Sequence, residues 1–449
     1  MFRRIVIALT TLFTAVALFA QEPPSAEDLS KRVMELESKL AQMQTAQPSV
    51  DLAELRRQIE ALAQEVEALK TRQTDKPVAA DTKQFGLGAA ASKIYRVDQG
   101  ISFGGYGEML YENYAGTSDA GARVTTKDKV DMLRGILYTG YKYNDRVLFN
   151  SEIEFEHGST GSGGEASVEF AYLDFLLRPN VGIRAGLVLI PMGLVNELHE
   201  PTTYLTARRS VVENAIIPTT WREMGAGVFG ENGLLSWRVY AVNSIRGDKF
   251  TAGGIRGGRQ KGANAQVEDI ALTGRLDWEP LVGTTVGASF FNGNTGQGSV
   301  AGGKRVDGKL SMFDLHGETA FRGVTLRGLF VRATIDDVAR LNQLSGLTGS
   351  NSIGESLGGW YVEGGYDLAT LRSFGEASIT PYFRYETLDT QRRVPAGFSR
   401  RPASDQKILT YGIQFKPIPQ AVIKADYQNF DNQAGTGTDQ WNLGIGYIF

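Results

Sequence analysis

The sequence has no cysteine and only three histidines among 449 residues. The first absence excludes disulfide scaffolds and thiolate chemistry. The second leaves little for imidazole chemistry. His157, His199 and His316 stand far apart, and His199-Glu200 has no second histidine to complete a zinc-helix motif. Gly253-Gly-Ile-Arg-Gly-Gly258 lacks the Lys-Ser/Thr that ends a phosphate-binding loop. No catalytic residue, metal or cofactor is expected, and the chain reads as a non-enzyme. Excess charge of one sign is also missing: the net charge is -3, so no nucleic-acid partner is expected. Long apolar runs are scarce too. Apart from one near the start, nothing approaches the roughly 20 residues a spanning helix needs, so any membrane crossing must use strands.

That one run follows Arg3 and Arg4, extends from Ile5 to Phe19, and is followed by Ala20. It reads as a secretory signal peptide over residues 1–20. Residues 21–74 carry Leu29, Val33, Leu36, Leu40 and Met43, then, after Pro48, Leu52, Leu55, Ile59, Leu62, Val66 and Leu69. Spacings alternating between three and four define an a/d seam, the pattern of an α-helical coiled coil. Short seams need partners, and further copies of the same chain are the expected ones. Residues 75–99, with Pro77 and Gly86-Leu-Gly88, read as a linker.

Residues 100–449 read as an all-β transmembrane barrel of about 16 antiparallel strands. The strands begin near Ile101, Val130, Arg146, Ser167, Val181, Gly225, Leu234, Val267, Thr284, Lys309, Val324, Gly358, Glu376, Lys407, Ala421 and Asp439. Short turns and long polar loops alternate between them, as periplasmic turns and outer loops do in such barrels. In the last strand Trp441, Leu443, Ile445, Tyr447 and Phe449 share one face. This strand is expected to close against the first and to be recognised by the barrel-assembly machinery through its terminal Phe449. Strand parity turns Arg134, Arg184, Arg238, Arg275, Arg384 and Lys424 toward the lumen. It does the same for Glu108, Glu112, Glu152, Glu154, Asp277, Asp314, Glu318, Glu363, Glu386 and Asp426. Tyr111, Tyr114, Trp237, Trp278, Trp360, Tyr366, Tyr427 and Trp441 suit aromatic girdles.

The connection from Pro191 to Met224 is long and unusually apolar, with Leu194, Val195, Leu205, Val211, Val212, Ile216 and Ile217. Such a loop needs a surface to pack on, and the barrel interior is the nearest. Folded inward, it would narrow the pore. Glu197, Glu200, Arg208, Arg209, Arg222 and Glu223 then become the expected constriction residues, either setting selectivity or anchoring the loop through ion pairs.

Gly186-Leu-Val-Leu-Ile-Pro-Met-Gly193, the long loop and Trp221-Arg-Glu-Met-Gly225 together resemble the phosphate-selective porin O/P family. The resemblance implies a homotrimer of 16-stranded barrels and a phosphate-binding ladder of Arg and Lys. Arg208 and Arg209 match the ladder's general placement, and no residue-level match to the whole ladder is visible. Charge is neutral on the point. With the leader (+2) and residues 21–74 (-3) set aside, the rest of the chain carries -2. Two outer loops are basic, with Arg246, Lys249, Arg256, Arg259 and Lys261 in one and Arg392, Arg393, Arg400 and Arg401 in the other. They either funnel anions or pair with lipopolysaccharide phosphates.

The expected product is a porin of the bacterial outer membrane with its coiled coil in the periplasm, passing small hydrophilic solutes, phosphate-like anions among them. A porin for sugars or dicarboxylates, and an envelope tether anchored by the barrel, are the alternatives. If the seam holds the oligomer together, Leu62→Asp or Leu36→Asp will convert trimer bands to monomer on mildly denaturing gels.

Overall fold

The computed structural model describes residues 83–159, 161 and 163–449. The signal peptide and the coiled coil expected over 1–74 lie outside the described residues.

Sixteen strands form one closed antiparallel barrel. They are β1 (Gly100–Tyr114), β2 (Lys129–Lys142), β3 (Val147–Glu156), β4 (Glu165–Arg178), β5 (Val181–Leu189), β6 (Arg222–Glu231), β7 (Leu235–Asn243) and β8 (Ile270–Leu281). The second half comprises β9 (Thr284–Gly293), β10 (Leu310–Phe321), β11 (Val324–Ile335), β12 (Ser356–Tyr366), β13 (Ser378–Arg393), β14 (Asp405–Ile418), β15 (Ala421–Asn432) and β16 (Gln440–Ile448). Each starts within three residues of the position expected from the sequence. Every neighbour pair is sequential except the closing one, where β16 pairs with β1 from Tyr106↔Ile448 to Tyr114↔Gln440. Closure leaves no edge, so every strand backbone finds its partners within the wall.

Alternation decides which face is which. In β16, Trp441, Leu443, Ile445 and Tyr447 are exposed, while Asn442, Gly444, Gly446 and Ile448 are buried. The same outward face carries Leu276, Phe290, Leu315, Leu326, Phe330, Phe383, Leu409 and Ile413 around the barrel. An apolar belt of this extent is incompatible with a water-exposed exterior and matches the lipid face of a barrel. Aromatic rings on neighbouring strands stack along the outer wall. Tyr427 lies 5.6 Å from Tyr411 and 5.0 Å from Trp441, and Trp360 lies 5.5 Å from Tyr385.

The connections at one end are tight. Residues 322–323 turn β10 into β11 with both φ angles positive (Arg322 49°, Gly323 83°), the backbone a two-residue hairpin requires. The other end carries the long loops. One of them, residues 336–355, contains the eight-residue helix α2 (Val338–Ser345).

One stretch differs from expectation. Residues 75–99 read as a linker, but from Lys83 onward they are folded into the barrel interior. Phe85, Leu87, Ala89, Ala90, Ala91 and Ile94 are buried, and Ala91–Arg96 forms a 3-10 helix. The reason lies in the wall. β1 to β7 turn Tyr106, Tyr138, Phe170, Tyr172, Phe229 and Tyr240 inward, and an apolar wall facing an empty lumen must be covered. Phe85 packs edge-on against Phe229 and Tyr95, each at 4.9 Å, and Asn150 Nδ2 donates to the Ala91 carbonyl at 3.0 Å. The glycines that suggested flexibility serve close approach: a Cβ on Gly86, whose φ is 82°, would sit 2.7 Å from the Arg238 guanidinium.

A charge in the lipid-facing belt should destabilise the fold. Leu315→Arg, in the middle of β10, is expected to lower unfolding stability by about 2–4 kcal/mol, measured by urea titration in bilayers.

Candidate functional site

Residues 190–221, between β5 and β6, cross the barrel interior as a strap. The strap is apolar where it meets the aromatic wall and the outer loops. Ile190, Met192, Leu194, Val212, Ile216, Ile217 and Trp221 are buried in one cluster with Phe250, Ile255, Phe291, Leu329 and Val331. It contains one helical turn, α1 (Val211–Ala215), capped by Ser210, whose hydroxyl accepts from the Glu213 N–H.

A strap with so little secondary structure leaves its backbone groups unpaired, and the wall satisfies them. Lys424 Nζ, on β15, donates to the carbonyls of Tyr204 (2.8 Å) and Thr206 (3.0 Å). Gln414 Nε2, on β14, donates to Tyr204 (3.1 Å) and Leu205 (3.2 Å). Asp426 accepts from the Ala207 N–H at 2.7 Å, and Asp314 from Gly193 at 3.1 Å. Arg327 donates to Thr203 O at 2.7 Å and Arg384 to Arg208 O at 3.2 Å. In return the strap carboxylate Glu213 accepts from Tyr361 OH (2.6 Å) and from Val195 N (2.8 Å).

The strap divides two mouths. At the short-turn end a cavity of about 970 Å³ is lined by Glu197, Thr202, Thr203, Arg238, Arg275 and Lys416 among others. At the long-loop end a cavity of about 650 Å³ is lined by Glu108, Arg134, Ala207, Arg208, Arg209 and Arg256 among others. The two cavities have no lining residue in common. Tyr204, Leu205 and Thr206 lie between them, all buried, with the Tyr204 hydroxyl donating to Glu108.

The six residues expected at the constriction are distributed over this arrangement. Glu197 lines the short-turn cavity and pairs with Arg238 at 2.8 Å. Arg208 and Arg209 line the outer one; Arg208 pairs with Glu112 at 2.6 Å, whereas Arg209 donates to the His199 carbonyl at 2.9 Å. Glu200, Arg222 and Glu223 line neither cavity. Glu200 accepts from the N–H groups of Ala90 (3.1 Å) and Ala91 (3.2 Å), tying the strap to the N-terminal segment. Arg222 is buried against Glu169 and Ser167, each at 2.9 Å. Glu223 accepts from Asn243 Nδ2 at 2.7 Å and Gln260 N at 2.9 Å, beneath the 244–269 loop.

The wall residues Arg134, Arg184, Arg238, Arg275, Arg384 and Lys424 all point inward. The five arginines do not form a free ladder, because each meets a carboxylate. Arg134 lies 3.2 Å from Glu108, Arg184 2.9 Å from Asp174, Arg275 2.7 Å from Asp277 and Arg384 2.8 Å from Glu386. Arg238 also reaches Asp277, at 3.3 Å. Buried guanidiniums need such partners. Lys424 instead lies 3.7 Å from the centre of the Tyr204 ring.

Three other guanidiniums stand apart. Among the described residues, no carboxylate lies within ion-pair distance of Arg209, Arg256 or Arg259. Arg256 donates to the Thr219 carbonyl, and Arg259 donates to Pro218 O at 3.1 Å and Thr220 O at 2.6 Å. Burial, followed by the Arg209 charge, pushes the Arg256 guanidinium pKa down. Burial, then Arg256 and Arg222, does the same for Arg259. Arg256 and Arg259 come from the 244–269 loop, so only the fold brings them to the strap.

Glu169 is a further residue that parity misses. Phe170 faces inward, so its neighbour should face lipid. A bulge between Glu152↔Phe170 and Ile153↔Val168 leaves Glu169 unpaired, and both Glu169 and Phe170 are buried. The signal was a Glu in a lipid-facing register. Sequence spacing also gave no metal-ligand set, yet the fold brings Glu152, Glu169 and His199 to within 4.8 Å of one another from three separate segments.

The closed 16-stranded antiparallel barrel is a fold shared with solved outer-membrane porins. OmpF of Salmonella typhi, solved with daunomycin, superposes with a TM-score of 0.50 at 13% identity, over 78% of this chain and 98% of that one. The anion-selective porin from Comamonas acidovorans gives 0.50 at 10%, over 78% and 99%. At these identities the likeness concerns the fold. No family model matches the chain. An uncharacterised protein of Aquifex aeolicus (strain VF5) is 37% identical over 380 residues, which is 81% of this chain and 83% of that one. The chain belongs to the same family as that Aquifex protein.

Glu213 joins the strap both to itself and to β12. Glu213→Ala is expected to loosen the strap by about 1–3 kcal/mol. Limited proteolysis should then cut within 190–221 faster, while the barrel still migrates as folded on unheated gels.

Proposed function

We propose that the protein is an outer-membrane channel for small hydrophilic solutes, with an anion preference set on the outer face of the strap. The observation that carries the reading is the strap itself: a lipid-facing belt encloses a polar interior that opens at both ends and is narrowed by one inward loop. Tyr204–Thr206, which lies between the two mouths, is the part of the strap that narrows the path. The anion preference is supported by Arg209 and Arg256, which line the outer mouth and form no direct ion pair with a carboxylate among the described residues, so their donors are the ones an entering anion can meet. The wall arginines contribute little to it, because their charges are already paired. Phosphate specificity rests on the family resemblance alone, so a general preference for anions is the reading taken here. A homotrimer held by the N-terminal coiled coil, lipopolysaccharide on the basic outer loops, and assembly through the β16 signal complete the proposal.

The alternative, a barrel serving as an envelope anchor, is favoured by one observation: the two cavities share no lining residue. Planar-bilayer recordings separate the two. Stepwise conductance with a reversal potential toward anion selectivity is expected. Arg209→Ala combined with Arg256→Ala should cut the anion-to-cation permeability ratio several-fold, and Arg208→Ala, whose charge Glu112 already offsets, should change it less. Absence of any conductance would favour the anchor, and cation preference would overturn the assigned selectivity.

A further inference from the structure

We propose that Glu152, Glu169 and His199 bind one divalent transition-metal cation of the zinc class where the strap meets β3 and β4. The inference is independent of whether the barrel conducts.

The tautomer of His199 comes first. Its Nδ1 lies 2.9 Å from the Asn196 carbonyl oxygen and donates to it. Nε2 then faces two carboxylates, 3.0 Å from Glu152 Oε1 and 3.5 Å from Glu169 Oε2. A metal-binding imidazole is held in the same way, with the far nitrogen donating to a carbonyl. A neutral ring would direct its lone pair at two anions, so a positive species belongs between them: either a proton on Nε2 or a cation.

A proton on Nε2 serves only one of the facing oxygens. Glu152 Oε2 and Glu169 Oε2 have no hydrogen-bond partner, although both residues are fully buried. Glu154 Oε1, on the same wall, is also without one. Two guanidiniums reach this group. Arg222 is committed to Glu169 Oε1 at 2.9 Å, and Arg134 lies 3.8 Å from Glu154 while shared with Glu108. Three buried carboxylates thus crowd around one imidazole, with one committed and one shared guanidinium, an arrangement that a low-dielectric interior tolerates only if further positive charge, from protons or a cation, is held among them.

His316 provides the contrast. Its two nitrogens each meet a carboxylate, Asp314 at 2.6 Å and Asp277 at 2.8 Å, and Asp277 is further bound by Arg275 at 2.7 Å. That arrangement is a closed ion-pair network, with no backbone carbonyl to fix a ligand tautomer.

The spacing fits a metal. Tetrahedral zinc with bonds near 2.0–2.1 Å places its ligand atoms about 3.3 Å apart; the separations from Nε2 are 3.0 and 3.5 Å, and all three ligand atoms lie within 4.8 Å of one another, so the two carboxylates would draw together on the ion. One imidazole with carboxylates suits Zn²⁺, Mn²⁺ or Fe²⁺ and disfavours Mg²⁺ and Ca²⁺. Entry is short: Arg134 and Thr220, which touch Glu154 and Glu169, line the outer cavity. Because the ligands come from the strap and from two wall strands, the ion would pin the strap to the wall.

The test uses tag-free protein in detergent, stripped with chelator and titrated with Zn²⁺ by calorimetry, with elemental analysis after dialysis. One zinc per chain is expected, with zinc-edge X-ray absorption reporting an imidazole among oxygen ligands. Glu152→Gln and His199→Gln should each weaken binding at least about ten-fold, and His157→Gln should leave it unchanged. Unheated gel mobility and β-type circular dichroism identify the variants that are folded. No saturable zinc, full affinity in a folded Glu152→Gln or His199→Gln protein, loss of binding in His157→Gln, or a spectrum without imidazole would each overturn the site.

Discussion

A wall immersed in hydrocarbon has no water to satisfy its backbone, so every strand N–H and C=O must be paired within the protein. In this chain that constraint is met at the seam where β16 meets β1. Gly105 and Phe449 exchange backbone hydrogen bonds at 2.9 and 3.0 Å, extending the pairing that begins at Tyr106↔Ile448. Once the cylinder is closed, its two faces are fixed by the pleat. The outer face can be Leu, Phe and Trp without aggregation, and the inner face can hold charge without contact with lipid.

The enclosed interior has a requirement of its own. Sixteen strands surround more space than their side chains fill, and six inward aromatic rings on β1, β2, β4, β6 and β7 need cover. Two inserted segments provide it. The segment from Phe85 to Arg96 packs on the aromatic part formed by β1 to β7. The strap from Ile190 to Trp221 spans the remainder, its carbonyls taken by Lys424, Gln414, Arg327 and Arg384 and its N–H groups by Asp426 and Asp314. The wall cations thereby serve two ends, since most are also neutralised by an adjacent carboxylate. What lacks a direct ion pair is local: the guanidiniums of Arg209, Arg256 and Arg259 donate to strap carbonyls on the outer side, above the carboxylates around His199.

Much of the wall was legible. All sixteen strand starts lie within three residues of expectation because lipid and lumen impose a period of two on each strand. The inward direction of the strap was legible from its apolar content. Glu169 was not, because a bulge shifts parity by one residue and parity counting has no term for it. The segment around Gly86 and Gly88 was mistaken for a linker because glycine reads alike whether it gives freedom or permits close approach. Glu200 meets the N-terminal segment, Arg222 meets Glu169 and Glu223 meets the 244–269 loop, distinctions that spacing does not carry.

The sequence by itself determined the strand count, the facing of each strand and the existence of an inserted loop, since these follow from local periodicity and from the cost of polar groups in lipid. Only the tertiary structure decided which charges cancel. Ion pairing depends on distances across the lumen between residues far apart in the chain, and a shift of a few ångströms separates an ion-paired arginine such as Arg275 from one without a direct ion pair such as Arg256.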